Sequence, residues 1–169
     1  QDIRWFYQDG ASHVFPDYWA DYVKVIPEAE RGDFLAAYYR RLTGSDEIAR
    51  MAAAKAWSVW EGLCATLRPN ASVAEHFADP HVALSLARIE AHYFVNGGFF
   101  EFDDQLLRDA QRIRHLPGTL VHGRYDVVCP IQNAFDLKAA WPEAKLVIAP
   151  TSGHSAFEPE IASALVDAT

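Results

Sequence analysis

Gly118-Thr-Leu-Val-His-Gly123, followed at once by Arg-Tyr-Asp126, is a short apolar run closed by glycine at both ends. A run of that length and punctuation suits a strand buried in a parallel sheet. Residues 131–141 then carry helical spacing, Lys145-Leu-Val-Ile-Ala149 gives a second strand, and Pro159 to Ala168 reads as one more helix. Strand, helix, strand, helix within about 50 residues is the alternation that builds an α/β parallel sheet. Two strands do not make a stable sheet alone, so these elements are expected to be the last two strands and helices of a larger parallel core.

Upstream of this run the period changes from strand to helix. Asp17 is placed to cap a helix whose apolar residues Tyr18, Trp19, Tyr22, Val23 and Ile26 recur at helical spacing until Pro27. Phe34, Leu35, Tyr38, Tyr39 and Leu42 form the stripe of a second helix ended by Gly44, and Ser45 is placed to cap a third from Asp46 to about Leu63. The segment Leu67 to Pro80 shows no sustained period and reads as loop with short turns. Pro80 opens a fourth helix with Val82, Leu86, Ile89 and Tyr93 on one face, capped by Asn96-Gly97-Gly98, and Asp103-Asp104 begins a short fifth.

Composition narrows the function class. The chain has 169 residues, half of them apolar, and a formal charge of −8. That balance leaves no basic surface for phosphates, so no nucleic acid and no anionic membrane is expected as partner. Cys64 and Cys129 lie far apart, which argues against a zinc ribbon or a disulfide scaffold and favours a reducing cytoplasm. No apolar stretch reaches the roughly 18 residues of a membrane helix, and Gln1 to Gly10 lack a signal-peptide layout.

Asp126 stands just past the first predicted strand and His154 just past the second, where open α/β sheets place their sites. Their separation, 154 − 126 = 28 residues, is one circuit of strand end, helix and strand, so the two loops are expected to be neighbours. A carboxylate against an imidazole sets its tautomer and stabilises the imidazolium formed when histidine accepts a nucleophile's proton. Asp before His is also the chain order of the last two triad members in α/β-hydrolases.

The words around these residues carry a resemblance. His122-Gly-Arg-Tyr-Asp126-Val-Val-Cys129-Pro130, Trp141-Pro-Glu-Ala and Ser152-Gly-His154-Ser resemble the C-terminal part of bacterial proline iminopeptidases, serine peptidases of the α/β-hydrolase fold. Trp5-Phe6-Tyr7-Gln-Asp-Gly10-Ala-Ser, Trp57-Ser-Val-Trp60-Glu61-Gly62, Ala87-Arg-Ile-Glu90-Ala-His92-Tyr93-Phe94 and Asp103-Asp104-Gln-Leu-Leu-Arg108 resemble that family's helical cap.

The resemblance implies a cap over residues 1–115 and the C-terminal part of the hydrolase core over 116–169. It implies that Asp126 orients His154 as general base and then general acid, and that Glu61 and Glu90 bind the imino group of an N-terminal proline. A buried protonated amine needs such an opposite charge. Phe6 and Tyr7 are expected to wall the proline ring, with Cys129 close to the pocket. The implied partner is a small peptide with N-terminal proline, and no metal or other cofactor is implied.

The family's G-x-S-x-G nucleophile elbow does not occur in these residues, and neither does the core that carries its oxyanion hole. With no initiating Met and an immediate aromatic run, the chain is expected to be a fragment of a longer reading frame, inactive alone. Two other readings remain open: another α/β-hydrolase chemistry such as an esterase or epoxide hydrolase, and a noncatalytic helical binding module built on Trp19, Trp57, Trp60 and Trp141.

Overall fold

The computed structural model describes residues 2–169. The chain divides into two compact units, one of residues 2–64 and 68–99, the other of Ala65–Leu67 and Phe100–Thr169.

The first unit is helical: α1 (Asp2–Tyr7), α2 (Pro16–Lys24), α3 (Phe34–Thr43), α4 (Glu47–Cys64), α5 (Ala71–Ala78) and α6 (Pro80–Val95). Its core is an aromatic stack centred on α4. Trp57 and Trp60, three positions apart and therefore on one face, are buried together with Tyr22, Tyr38 and Phe6. Tyr22 stacks on Tyr38 at 4.5 Å between ring centroids, Tyr7 on Trp57 at 4.2 Å and Phe6 on Trp60 at 5.1 Å. Each such pair contributes about 0.5–1.5 kcal/mol beyond area burial, and Tyr38 Oη also donates to the Tyr22 carbonyl at 2.6 Å.

Several sequence expectations are corrected here. Residues 71–78 are helix rather than loop, because Asn70 Oδ1 accepts from the amides of Ser72 and Val73 and supplies the start that a weak hydrophobic period obscured. The third helix is capped by Asp46, which accepts from Ala49 N at 3.1 Å, one residue later than the expected Ser45. α2 begins at Pro16 with no side-chain cap, so Asp17 sits inside its first turn, where a carboxylate meets the positive end of the helix dipole. In α6 the buried face is Ala83, Ala87 and Ala91, while Ile89 and Tyr93 are 61 % and 51 % exposed. Small residues let α6 pack closely against α3 and α4, and Ile89 and Tyr93 are left on the outer side. Asn96, Gly97 and Gly98 end α6 as expected, with φ of 58° and 63° at the two glycines.

The second unit holds α7 (Gln105–Asp109), β1 (Thr119–Gly123), α8 (Gln132–Ala140), β2 (Lys145–Ala149) and α9 (Pro159–Asp167). β1 and β2 pair in parallel, in register from Thr119↔Lys145 to Gly123↔Ala149. This is the α/β arrangement of an α/β-hydrolase's last two core strands. Residues 119–122 are half-buried rather than buried, since among the described residues the sheet has only two strands and each keeps an unpaired edge. Among these residues, too, no helix is long and apolar enough to cross a membrane.

Gly62 of α4 shows how tightly the helical unit is packed. A Cβ there would lie 2.7 Å from Cβ and Cγ of Phe77 in α5, too close for either helix to accommodate without moving. Gly62→Ala is expected to lower stability by about 1–3 kcal/mol, read as a lower midpoint in urea unfolding with an unchanged slope.

Candidate active site

In the second unit the parallel register brings the ends of β1 and β2 side by side; two backbone bonds carry the pairing past the strands, and a third closes the turn after β1. Arg124 N donates to Ala149 O at 2.9 Å, Tyr125 N to Ser152 O at 3.0 Å and Asp126 N to Gly123 O at 3.3 Å. The two loops approach so closely at Gly123 that a Cβ would clash with Gly153 O and lie 2.7 Å from Ser152 O, so only glycine fits. The far side of the histidine loop is tied as well: Glu158 accepts from Gly153 N at 2.7 Å, and the Ala65 carbonyl accepts from His154 N and Ser155 N.

Asp126 is thereby aimed at His154. Its Oδ1 accepts from the amides of Val128 and Cys129 at 3.0 and 2.8 Å, and its Oδ2 lies 3.0 Å from His154 Nδ1. The Asp126 side chain is 6 % exposed and that of His154 38 %. The carboxylate accepts from Nδ1–H, which leaves Nε2 as the nitrogen free to take up a proton. Asp126, and after it the Cys129 side chain, raises the His154 pKa from about 6.5 to about 10 by bonding to the imidazolium. Ser152, by contrast, is buried with its hydroxyl on Glu160 Oε2 at 3.3 Å.

In the helical unit, Tyr7, Trp57, Glu61 and Glu90 form a second polar group inside the aromatic stack. Tyr7 Oη donates to Glu61 Oε1, and Trp57 Nε1 donates to Glu90 Oε2 at 2.8 Å. Burial first, then the charges of Glu61 and Glu90, hold the Tyr7 pKa well above its usual 10, so its hydroxyl stays a donor. Two carboxylates acting on one buried hydroxyl among aromatic faces make a negatively charged, largely apolar setting suited to an organic cation. A cleft of about 380 Å³, lined by Ile3, Arg4, Tyr7, Gln8, Leu35 and Phe94 among others, opens beside Tyr7. Phe6 is packed on Trp60 with 2 % of its surface exposed.

No protein-family profile matches this chain. Curated relatives do. A proline iminopeptidase of Xanthomonas citri is 60 % identical over 168 residues, 99 % of this chain and 54 % of the relative. One of Arabidopsis thaliana is 48 % identical over 167 residues, covering 98 % of this chain and 44 % of its own length, and one of Neisseria gonorrhoeae is 41 % identical over 159 residues, 94 % and 50 % respectively. This chain belongs to the proline iminopeptidase family. It spans about half the length of the curated relatives it matches.

The structure brings Asp126, His154 and Cys129 together in one unit, and Tyr7, Glu61 and Glu90 in the other. Two participants escaped the sequence reading, and a third was read only in part. Trp57 had a signal, since it lies four residues before Glu61 and so on the same helix face, yet its indole donor to Glu90 depends on how α4 meets α6. The Tyr7 hydroxyl was read only as part of an aromatic wall. His122 stood inside a quoted motif and drew no role, although its Nε2 is 3.4 Å from Asp126 Oδ2.

His154 gives a signed pH expectation. Because its pKa is raised on folding, the Asp126–His154 bond stabilises the second unit fully below about pH 6.5, and that contribution is lost as pH rises through about 10. In Asp126→Asn the His154 ring resonance should titrate near its ordinary value instead. A histidine titration followed by NMR that reads the same pKa in both forms would remove Asp126 as the cause.

Proposed function

We propose that the whole protein is a serine aminopeptidase that releases N-terminal proline from small peptides, with residues 1–115 as its cap and 116–169 as the C-terminal part of its catalytic core. The observation that carries this reading is the 3.0 Å contact of Asp126 Oδ2 with His154 Nδ1 at the ends of two parallel strands.

Asp126 holds the imidazole in the tautomer that presents Nε2. With Nε2 deprotonated, His154 takes the proton of a serine hydroxyl as that oxygen attacks the carbonyl of proline, and returns it to the leaving amine. The attack makes an acyl-enzyme and frees the shortened peptide, after which water, activated by the same imidazole, releases proline. The serine is expected outside residues 1–169, which hold no G-x-S-x-G elbow.

Glu61 and Glu90 supply the selectivity. A protonated imino nitrogen loses its hydration on leaving water, and two carboxylates replace it with charge-assisted bonds. A blocked proline nitrogen offers neither charge nor donor, so the enzyme acts as an exopeptidase. The free thiols Cys64 and Cys129 fit a reducing cytoplasm as its location.

The test is hydrolysis of proline p-nitroanilide by the full-length protein. Glu90→Gln is expected to lower kcat/KM on that substrate by about ten- to a hundredfold, the loss of one charge-assisted bond, and to leave turnover of a neutral acyl ester unchanged. A full-length protein that leaves proline p-nitroanilide uncut sinks the reaction. An unaltered proline rate in the glutamine variant sinks the role of Glu90.

A further inference from the structure

His122 is the penultimate residue of β1, in register with Ile148. Its side chain is 16 % exposed, and its Nε2 lies 3.0 Å from the Cys129 carbonyl oxygen and 3.4 Å from Asp126 Oδ2. A carbonyl oxygen only accepts, so Nε2 carries a hydrogen whatever the charge of the ring. That N–H goes to Cys129 O.

The consequence is a chain of bonds. Cys129 gives its N–H to Asp126 Oδ1 at 2.8 Å and offers its C=O to His122. Asp126 in turn accepts two backbone amides at Oδ1 and meets His154 at Oδ2, with His122 Nε2 3.4 Å from the same oxygen. The turn that aims Asp126 is thus held from the strand side by an imidazole. Asp126 and Cys129 from the loop after β1, and His154 from the loop after β2, are the titratable groups assembled around it.

We propose that His122 is a positioning residue whose Nε2–H, given to the Cys129 carbonyl, pins the Asp126–Cys129 turn and so keeps the Asp126 oxygen and the Cys129 side chain against His154. The proposal rests on the reading of Asp126 and His154 as the acid–base pair of a proline aminopeptidase. A histidine that merely filled the strand end would need only its volume. One that positions the turn needs its N–H.

Two variants of the full-length protein separate these roles. Leucine at 122 keeps an apolar filling and removes the donor, whereas glutamine sets an amide N–H near the place of Nε2. In His122→Leu, kcat on proline p-nitroanilide per folded molecule should fall on the order of ten- to a hundredfold, with KM within about twofold. The acid limb of kcat/KM should move to lower pH, because His154 loses part of the hold that raises its pKa. His122→Gln should restore most of the rate and the position of that limb.

An unchanged acid limb with unchanged kcat per folded molecule in the leucine variant overturns the proposal, leaving His122 as packing. So does a glutamine variant as impaired as the leucine one. If the wild-type protein fails to cut the proline substrate, the functional reading falls by itself. NMR titration of His154 then decides the inference: a lower pKa in His122→Leu supports it, and an equal one overturns it.

Discussion

The peptide groups of Ser152 and Gly153 occupy the space a side chain on residue 123 would fill, and the candidate acid–base pair depends on that close approach. Parallel pairing sets β1 and β2 in register, and the bonds from Arg124 and Tyr125 continue it into both loops. Once the two chains touch at Gly123, a residue three positions on and a histidine just beyond Gly153 come within hydrogen-bonding distance. The carboxylate needs no long side chain to reach its partner, and a short Asp is held firmly by two backbone amides. Orientation of this kind, prepaid in folding, is what an acid–base pair requires.

The helical unit solves a different problem by related means. Carboxylates are costly to surround with apolar rings, and here each has a donor from the aromatic stack itself: Tyr7 Oη for Glu61 and Trp57 Nε1 for Glu90. The aromatic residues therefore do two jobs. Their faces build the core through the stacks on α4, and their polar edges hold the negative charges at fixed positions. Tyr7 joins both roles, lying flat on Trp57 while its hydroxyl, kept protonated by burial and the neighbouring charges, donates to Glu61.

Periodicity made most of the elements legible. The two strands, the helices after them and four of the helices before them follow from apolar spacing and Gly or Pro punctuation. The misses have local causes. α5 is short and starts at an Asn whose cap outweighs its weak stripe. α6 buries its alanines and not its larger residues, because the helices approach closely there, and hydrophobicity alone ranks those positions the wrong way round. In the site, Asp126 and His154 were legible from their places after strands, while Trp57 and His122 were not, since a donor's value depends on which acceptor lies opposite.

The amino-acid sequence by itself determined the α/β alternation, the helical first part, the acidic net charge and the places of one Asp and one His just past the two strands. These follow from local spacing and from composition, which any window of the chain displays. Only the tertiary structure decided that Asp126 Oδ2 lies 3.0 Å from His154 Nδ1, that Tyr7 and Trp57 are the donors to Glu61 and Glu90, and that Gly123 must lack a side chain. The reason is physical. Hydrogen bonds and close contacts between residues 28 to 54 positions apart are set by register and packing to within a few tenths of an ångström, and no local pattern encodes that precision.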